Sequence, residues 1–191
     1  MELNPLSCRK AATALLEVTT NPVHRQILEN YRLHATLEVA GYWPHIFDAS
    51  MTVAEPVYHF FGGPYAATFT GRTEVMGFYE QNALAGSNAM FSEHERLAVA
   101  DWGIAGDMLL HQLAPGKVLS AMGESVDDED ATYAISVRAM QLWPYRDGLL
   151  VGEDVSIDWD GRTVTKLDPS QVVTPEQARS ALAPFIPERM K

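Results

Sequence analysis

The sequence predicts an α+β domain in which helices pack on one face of a curved, mostly antiparallel sheet. Three observations lead there. Helical periodicity dominates the chain up to Leu84, and long alternating segments divided by turn signals then run from Met90 to Asp158. Apolar residues make up 47% of the 191, enough to fill a sizeable core without metals or disulfides. That length fits one domain spanning 1–191.

From Asn4 to Val18, Ala11, Ala14, Leu15 and Val18 recur at helical spacing. Asn21 then caps a second helix with Pro22 at its first position, and this helix runs to about Ala40, where Gly41 ends it. A short helical stretch follows over Trp43–Asp48. Thr52–Phe61 is rich in β-branched and aromatic residues and reads as a strand, interrupted by the Gly62–Gly63–Pro64 loop. Gly71 to Leu84 is helical again, with Val75, Phe78, Tyr79 and Asn82 on one face. Strands are expected near Met90–Ala100, Gly106–Ala114, Val118–Glu124, Ala131–Trp143 and Leu149–Asp158. Gly123–Asp130 reads as an acidic hairpin loop whose spacing is not that of an EF-hand, so a solvated loop is expected. Thr174–Pro175–Glu176–Gln177 is a capping box that opens a C-terminal helix reaching about Ala183.

The net charge of −11 argues against nucleic acid and anionic membrane surfaces as partners. Cys8 is the single cysteine; it can form no internal disulfide and reads as a buried thiol. The first ten residues are too polar for a secretory core, and no apolar run approaches the ~20 residues that span a bilayer. These features together read as a cytoplasmic protein. No HExxH, CxxC, P-loop, GxGxxG or nucleophile-elbow pattern occurs, so neither a metal nor a cofactor is expected.

The second helix carries the most informative anomaly. Val23, Ile27, Leu28, Tyr31, Ala35 and Val39 gather on one side, and His34 and Glu38 fall inside the same stripe. Burying an imidazole and a carboxyl costs several kcal/mol unless they find partners. At i and i+4 they can pair with each other, or they can form the polar floor of a ligand pocket.

The segment DASMTVAEPVY, followed by a loop and then FTGRTEVMGFYEQNAL, resembles the ketosteroid isomerases and SnoaL-like polyketide cyclases of the nuclear transport factor 2-like superfamily. WPYRDGLLVGEDVSID is similar to the last hairpin of that superfamily. The resemblance spans about Pro22 to Leu167 and leaves 1–20 and 168–191 as terminal extensions. It implies a cone-shaped fold with the sheet wrapped on three helices, and a homodimer formed through the open sheet face.

It also implies site residues. Glu55, before Pro56, takes the place of the isomerases' catalytic base, in an enzyme class whose oxyanion hole uses a tyrosine and a protonated aspartate. Either His34 or Tyr31 takes the tyrosine's place, depending on where the helices are aligned. Met140 falls where the second oxyanion acid stands and cannot donate a hydrogen bond. Ala134, Ser136, Arg138 and Met140 are then expected on the pocket face of their strand. Glu153 stands alone on an apolar strand face, where Arg138 could pair with it. Arg138 also suits the arginine of the related limonene epoxide hydrolases, although Met140 removes one of their two flanking aspartates.

The reading is therefore a cofactor-independent lyase or isomerase, of dehydratase or cyclase type, acting on a small apolar ring or polyketide-like substrate. Glu55 would abstract a proton beside a carbonyl, and His34 or Tyr31 would donate to the developing oxyanion. Glu38 would orient His34, and His111 would return the proton. Trp43, Met51, Tyr58, Phe60, Arg138, Met140 and Glu153 would line the substrate's pocket. The alternatives are a non-catalytic small-molecule-binding or assembly module of the same fold, and a hydrolase.

Overall fold

The computed structural model describes residues 1, 3–63, 66–84 and 90–191. The first half contains α1 (Ser7–Val18), α2 (Pro22–Val39), a 3-10 turn (Trp43–Phe47), β1 (Thr52–Phe61), β2 (Ala67–Thr70) and α3 (Gly71–Leu84). The second contains β3 (Met90–Ala100), β4 (Gly103–Pro115), α4 (Gly116–Ala121), β5 (Thr132–Arg146), β6 (Leu149–Lys166) and α5 (Pro175–Leu182). The strands form one curved, open sheet in the order β2-β1-β6-β5-β4-β3. The pairing of β1 with β6 is parallel and every other pairing is antiparallel.

Local chemistry accounts for the boundaries. The Asn21 side chain accepts hydrogen bonds from the backbone N–H of Val23 and His24, which caps α2, and Gly41 leaves the helix at φ +77°. Asp147 and Gly148 both have positive φ, so a two-residue turn of the type that matches strand twist joins β5 to β6. At the other end of the chain, the Thr174–Gln177 capping box opens α5.

One expected strand is absent. Val118–Glu124 was expected to be extended, but Gly116–Ala121 forms α4, with Leu119 buried and Pro115 at its N-cap. A short apolar run such as Lys117–Met122 satisfies helical and extended spacing equally, and here the preceding Pro115 sets up the helix. The acidic segment that follows joins α4 to β5 instead of closing a hairpin. Its side chains are engaged: Glu124 pairs with Arg162, and Asp127 and Asp128 pair with Lys166. Pro64 of the Gly62–Gly63–Pro64 loop lies outside the described residues.

Irregularities in the sheet decide which side chains face the helices. Between Thr52 and Val57, β1 spends three residues more than its partner β6. Pro56, which has no N–H to pair, sits in that bulge. Between Glu93 and Arg96, β3 carries one residue more than β4, and His94 there has φ +57°. Each irregularity resets the alternation of faces.

The main core lies between α1, α2, α3 and the sheet's concave face, with Ile27, Leu28, Leu37, Tyr58, Val75 and Leu150 fully or almost fully buried. The C-terminal segment belongs to this core: Leu182 and Met190 are completely buried in it. On the opposite face, Leu113, Ala134 and Leu167 pack with Val172 and Val173, so the start of β5 is covered on both sides. Farther along that outer face Phe61, Met140 and Leu142 are exposed. No helix among the described residues is long and apolar enough to cross a membrane.

Leu182→Ala should lower stability by about 2–4 kcal/mol in chemical denaturation, as expected for emptying a buried leucine site. A loss below about 0.5 kcal/mol would mean that the C-terminal segment is an appendage.

Candidate active site

A cavity of about 160 Å³ lies between α2, α3 and the concave face of the sheet. Phe60, Phe78, Trp143, Val137, Val155 and Ile157 supply much of its apolar wall. Tyr31, Glu38, Tyr79, Glu95, Gln141 and Glu153 bring polar groups to it, and neither Lys nor Arg lines it. A cavity of about this size holds one six-membered ring.

His34 stands directly behind the wall at one end. It is fully buried, and its Nε2 lies 3.0 Å from the Tyr79 hydroxyl, 3.4 Å from Glu153 Oε1 and 3.8 Å from Glu38 Oε2. Burial drives its pKa down to about 3, so the imidazole is neutral. Glu38 reaches the cavity from the next turn of α2, and burial raises its carboxyl to about 7. Glu153 is raised well above the ordinary carboxylate range, first by burial and then by the charge of Glu38. The hydroxyls of Tyr58 and Tyr79 oppose that shift only in part. Burial thus favours the neutral form of Glu153 over its carboxylate, while Glu38 titrates near neutrality.

The second polar group is a completed chain. Gln141 Nε2 donates to the Tyr31 hydroxyl at 2.7 Å, and that hydroxyl donates to Glu95 Oε1 at 2.5 Å. Burial raises Glu95 to about 6, with the hydrogen bond from Tyr31 acting in the other direction. The Trp143 ring separates the two groups, with its centroid 4.6 Å from that of His34 and 4.8 Å from that of Tyr31. Among the described residues, two buried atoms of cavity-lining side chains have no hydrogen-bond partner, the donor Trp143 Nε1 and Glu153 Oε1.

Several expected site residues lie elsewhere. Glu55 is exposed: it sits in the β1 bulge against the start of α3, where a Cβ on Gly71 (φ +80°) would come within 2.6 Å of Glu55 Oε2. The bulge undoes simple alternation from Glu55, so Tyr58 and Phe60 are the β1 residues turned toward the core and cavity. Met140 is 58% exposed and Arg138 is exposed, because Val137, Ala139, Gln141 and Trp143 form the cavity face of β5. Arg138 pairs with Asp107 on the outer face, not with Glu153. His111 also faces away, held between Ser136 Oγ and Glu93 Oε2 at 2.7 Å each, as a hydrogen-bonded structural histidine. Met51 is buried in the main core, and Trp43 stacks on Tyr79 with ring centroids 5.8 Å apart; neither lines the cavity.

Tyr31, Glu38, Phe60 and Glu153 do line the cavity, and His34 and Tyr58 stand immediately behind it. Glu95, Tyr79, Gln141 and Trp143 were not singled out from the sequence. Glu95 had a signal: an unbroken polar run, Ser92 to Arg96, inside a strand, which is where an added residue turns one of them inward. Among the described residues, no three His, Cys, Asp or Glu side chains cluster in a way that could hold a metal ion.

Solved structures share the fold. A candidate SnoaL-like polyketide cyclase from Shewanella putrefaciens is 14% identical, with a TM-score of 0.56 over 84% of this chain and 92% of that one. A second, from Jannaschia, is 15% identical, with a TM-score of 0.54 over 73% and 90%. A nuclear transport factor 2-like protein from Anabaena variabilis is 10% identical, with a TM-score of 0.55 over 75% and 96%. The chain therefore has the nuclear transport factor 2-like fold. No protein-family model matches the chain, and no curated protein matches it in sequence.

Glu38 should weaken the protein at neutral pH. Its carboxyl loses its proton near 4.5 in the unfolded chain and near 7 here, so the penalty is absent below 4.5 and grows as pH rises to 7. At full size it is up to ~3 kcal/mol. Glu38→Gln should therefore stabilise the protein above pH 7, with a gain that fades as pH falls toward 4.5. Denaturation midpoints of both proteins across that range check this; a constant difference would contradict it.

Proposed function

We propose that the cavity carries out cofactor-independent acid–base chemistry, as a lyase or isomerase, on a small ring compound bearing a carbonyl. The observation that carries this reading is the pair of buried cavity carboxyls flanking His34, Glu38 raised to about 7 and Glu153 raised well above the ordinary carboxylate range. Two such groups side by side supply a base and a neutral hydrogen-bond donor at one pH.

In this scheme the substrate's carbonyl oxygen accepts hydrogen bonds from protonated Glu153, through Oε1, and from Trp143 Nε1–H, two buried atoms without a hydrogen bond of their own among the described residues. The Glu38 carboxylate removes a proton from the carbon next to that carbonyl, leaving an enolate stabilised by the two donors. Glu38, now protonated, returns the proton to another carbon of the conjugated system, which is isomerisation, or to a departing hydroxyl that leaves as water. His34 is a positioning residue: its Nε2 lies against Tyr79 and Glu153. The apolar walls keep water away from the enolate and keep Glu38 basic enough to act. The fold shared with candidate cyclases is compatible with such chemistry without specifying it.

Exchange of the α-hydrogens of small cyclic ketones in deuterated water, followed by NMR, tests the scheme without knowledge of the natural substrate. The protein should accelerate exchange, with a rate that rises as pH passes through about 7 and then levels off, because the ionised form of Glu38 is the base. Glu38→Gln should lower the rate at least about 100-fold. Ketones that bind without faster exchange would identify a binding module in place of an enzyme.

A further inference from the structure

The cavity holds a carboxyl that the scheme above does not use. Glu95 lines it, and both of its oxygens are accounted for by neutral donors, Tyr31 at 2.5 Å and Ser92 at 3.4 Å. No Lys or Arg lines the cavity with it, and the ion pairs among the described residues give Glu95 no cationic partner. Its carboxyl is raised only to about 6, so at neutral pH it is largely ionised despite its surroundings. Tyr31 presses it into one orientation, and Gln141 in turn fixes Tyr31.

An oriented, largely buried carboxylate beside aromatic rings has unused attraction for a cation. The aromatic rings of Tyr31 and Trp143 line the same cavity, and aromatic walls favour a cation over an anion. An anionic ligand would meet three carboxyls, Glu38, Glu95 and Glu153, and no positive charge.

We propose that the ligand of this cavity is a small ring compound carrying a basic nitrogen, whose ammonium group pairs with Glu95. The proposal rests on the reading of the cavity as a ligand site and adds a second anchor, separated by Trp143 from the Glu38–Glu153 end. Such a ligand would lie with its carbonyl toward Glu153 and its nitrogen toward Glu95.

Calorimetric titration of the intact protein with benzylamine, benzyl alcohol and benzoate tests this, since the three share one ring and differ in charge. Near neutral pH benzylamine should bind about tenfold or more tighter than benzyl alcohol, and benzoate weaker than both. The preference should survive high salt, which screens the acidic outer surface more than a buried pair. Glu95→Gln should bring benzylamine to within about threefold of benzyl alcohol while leaving benzyl alcohol binding nearly unchanged. Equal binding of amine and alcohol, or an amine preference that persists in Glu95→Gln, overturns this proposal and leaves the acid–base reading standing. Failure of all three probes to bind overturns both. If Glu95→Gln does not fold, the ranking of the three probes on the unmodified protein still decides.

Discussion

Glu153 leaves β6 into a space bounded by Tyr58, Tyr79 and Trp143, with the neutral ring of His34 behind it. Glu153 and His34 are buried there, and a buried ionisable group gives up hydration that stabilises its charge. The directions of the proton affinities around the cavity follow from that constraint. His34 is pushed toward its neutral form, as are Glu38, Glu95 and Glu153, in proportion to how completely each is enclosed and what hydrogen bonds it keeps. Glu95 keeps a strong donor in Tyr31 and moves least of the three carboxyls. Glu153 is the most enclosed, feels the nearby charge of Glu38 and moves most.

The scaffold sets these positions through a few departures from regular geometry. The added residue at His94 sends Glu93 outward to His111 and Glu95 inward to Tyr31. The long bulge before Val57 puts Tyr58 in register beside Glu153 and carries Glu55 to the surface. On the helix side the turn of α2 suffices: Tyr31, His34 and Glu38 follow at intervals of three and four, so all meet the same wall. A rigid helix facing a bulged sheet thus brings together groups that come from opposite ends of the sequence.

The same features explain what the sequence disclosed. Periodicity located α2, β1 and β3 closely, and it identified His34 and Glu38 as misplaced polar groups on an apolar stripe. Glu153 was legible for the same reason, as one acid in an otherwise apolar alternation. Alternation failed on β5, where residues 133–137 are buried on both faces because the C-terminal segment covers the outer side. The resemblance puts Ala134, Ser136, Arg138 and Met140 on the pocket face, one residue out of step with the Val137, Ala139, Gln141 and Trp143 that line the cavity. The resemblance puts Glu55 at the catalytic base, whereas Pro56 marks the bulge in that strand at which Glu55 is exposed. Long-range coverage and bulges arise from pairings that no single segment encodes.

The central claim is that a dehydrated, protonated carboxyl persists in this cavity at neutral pH and that it belongs to Glu153. Infrared difference spectroscopy in deuterated water reads this directly through the C=O stretch of a protonated carboxyl, compared between the unmodified protein and Glu153→Gln. The account predicts a band at neutral pH in the unmodified protein that loses intensity in Glu153→Gln, the remainder coming from Glu38, which titrates near 7. A spectrum with carboxylate bands alone at neutral pH would contradict it, because Glu153 would then be ionised and unable to donate.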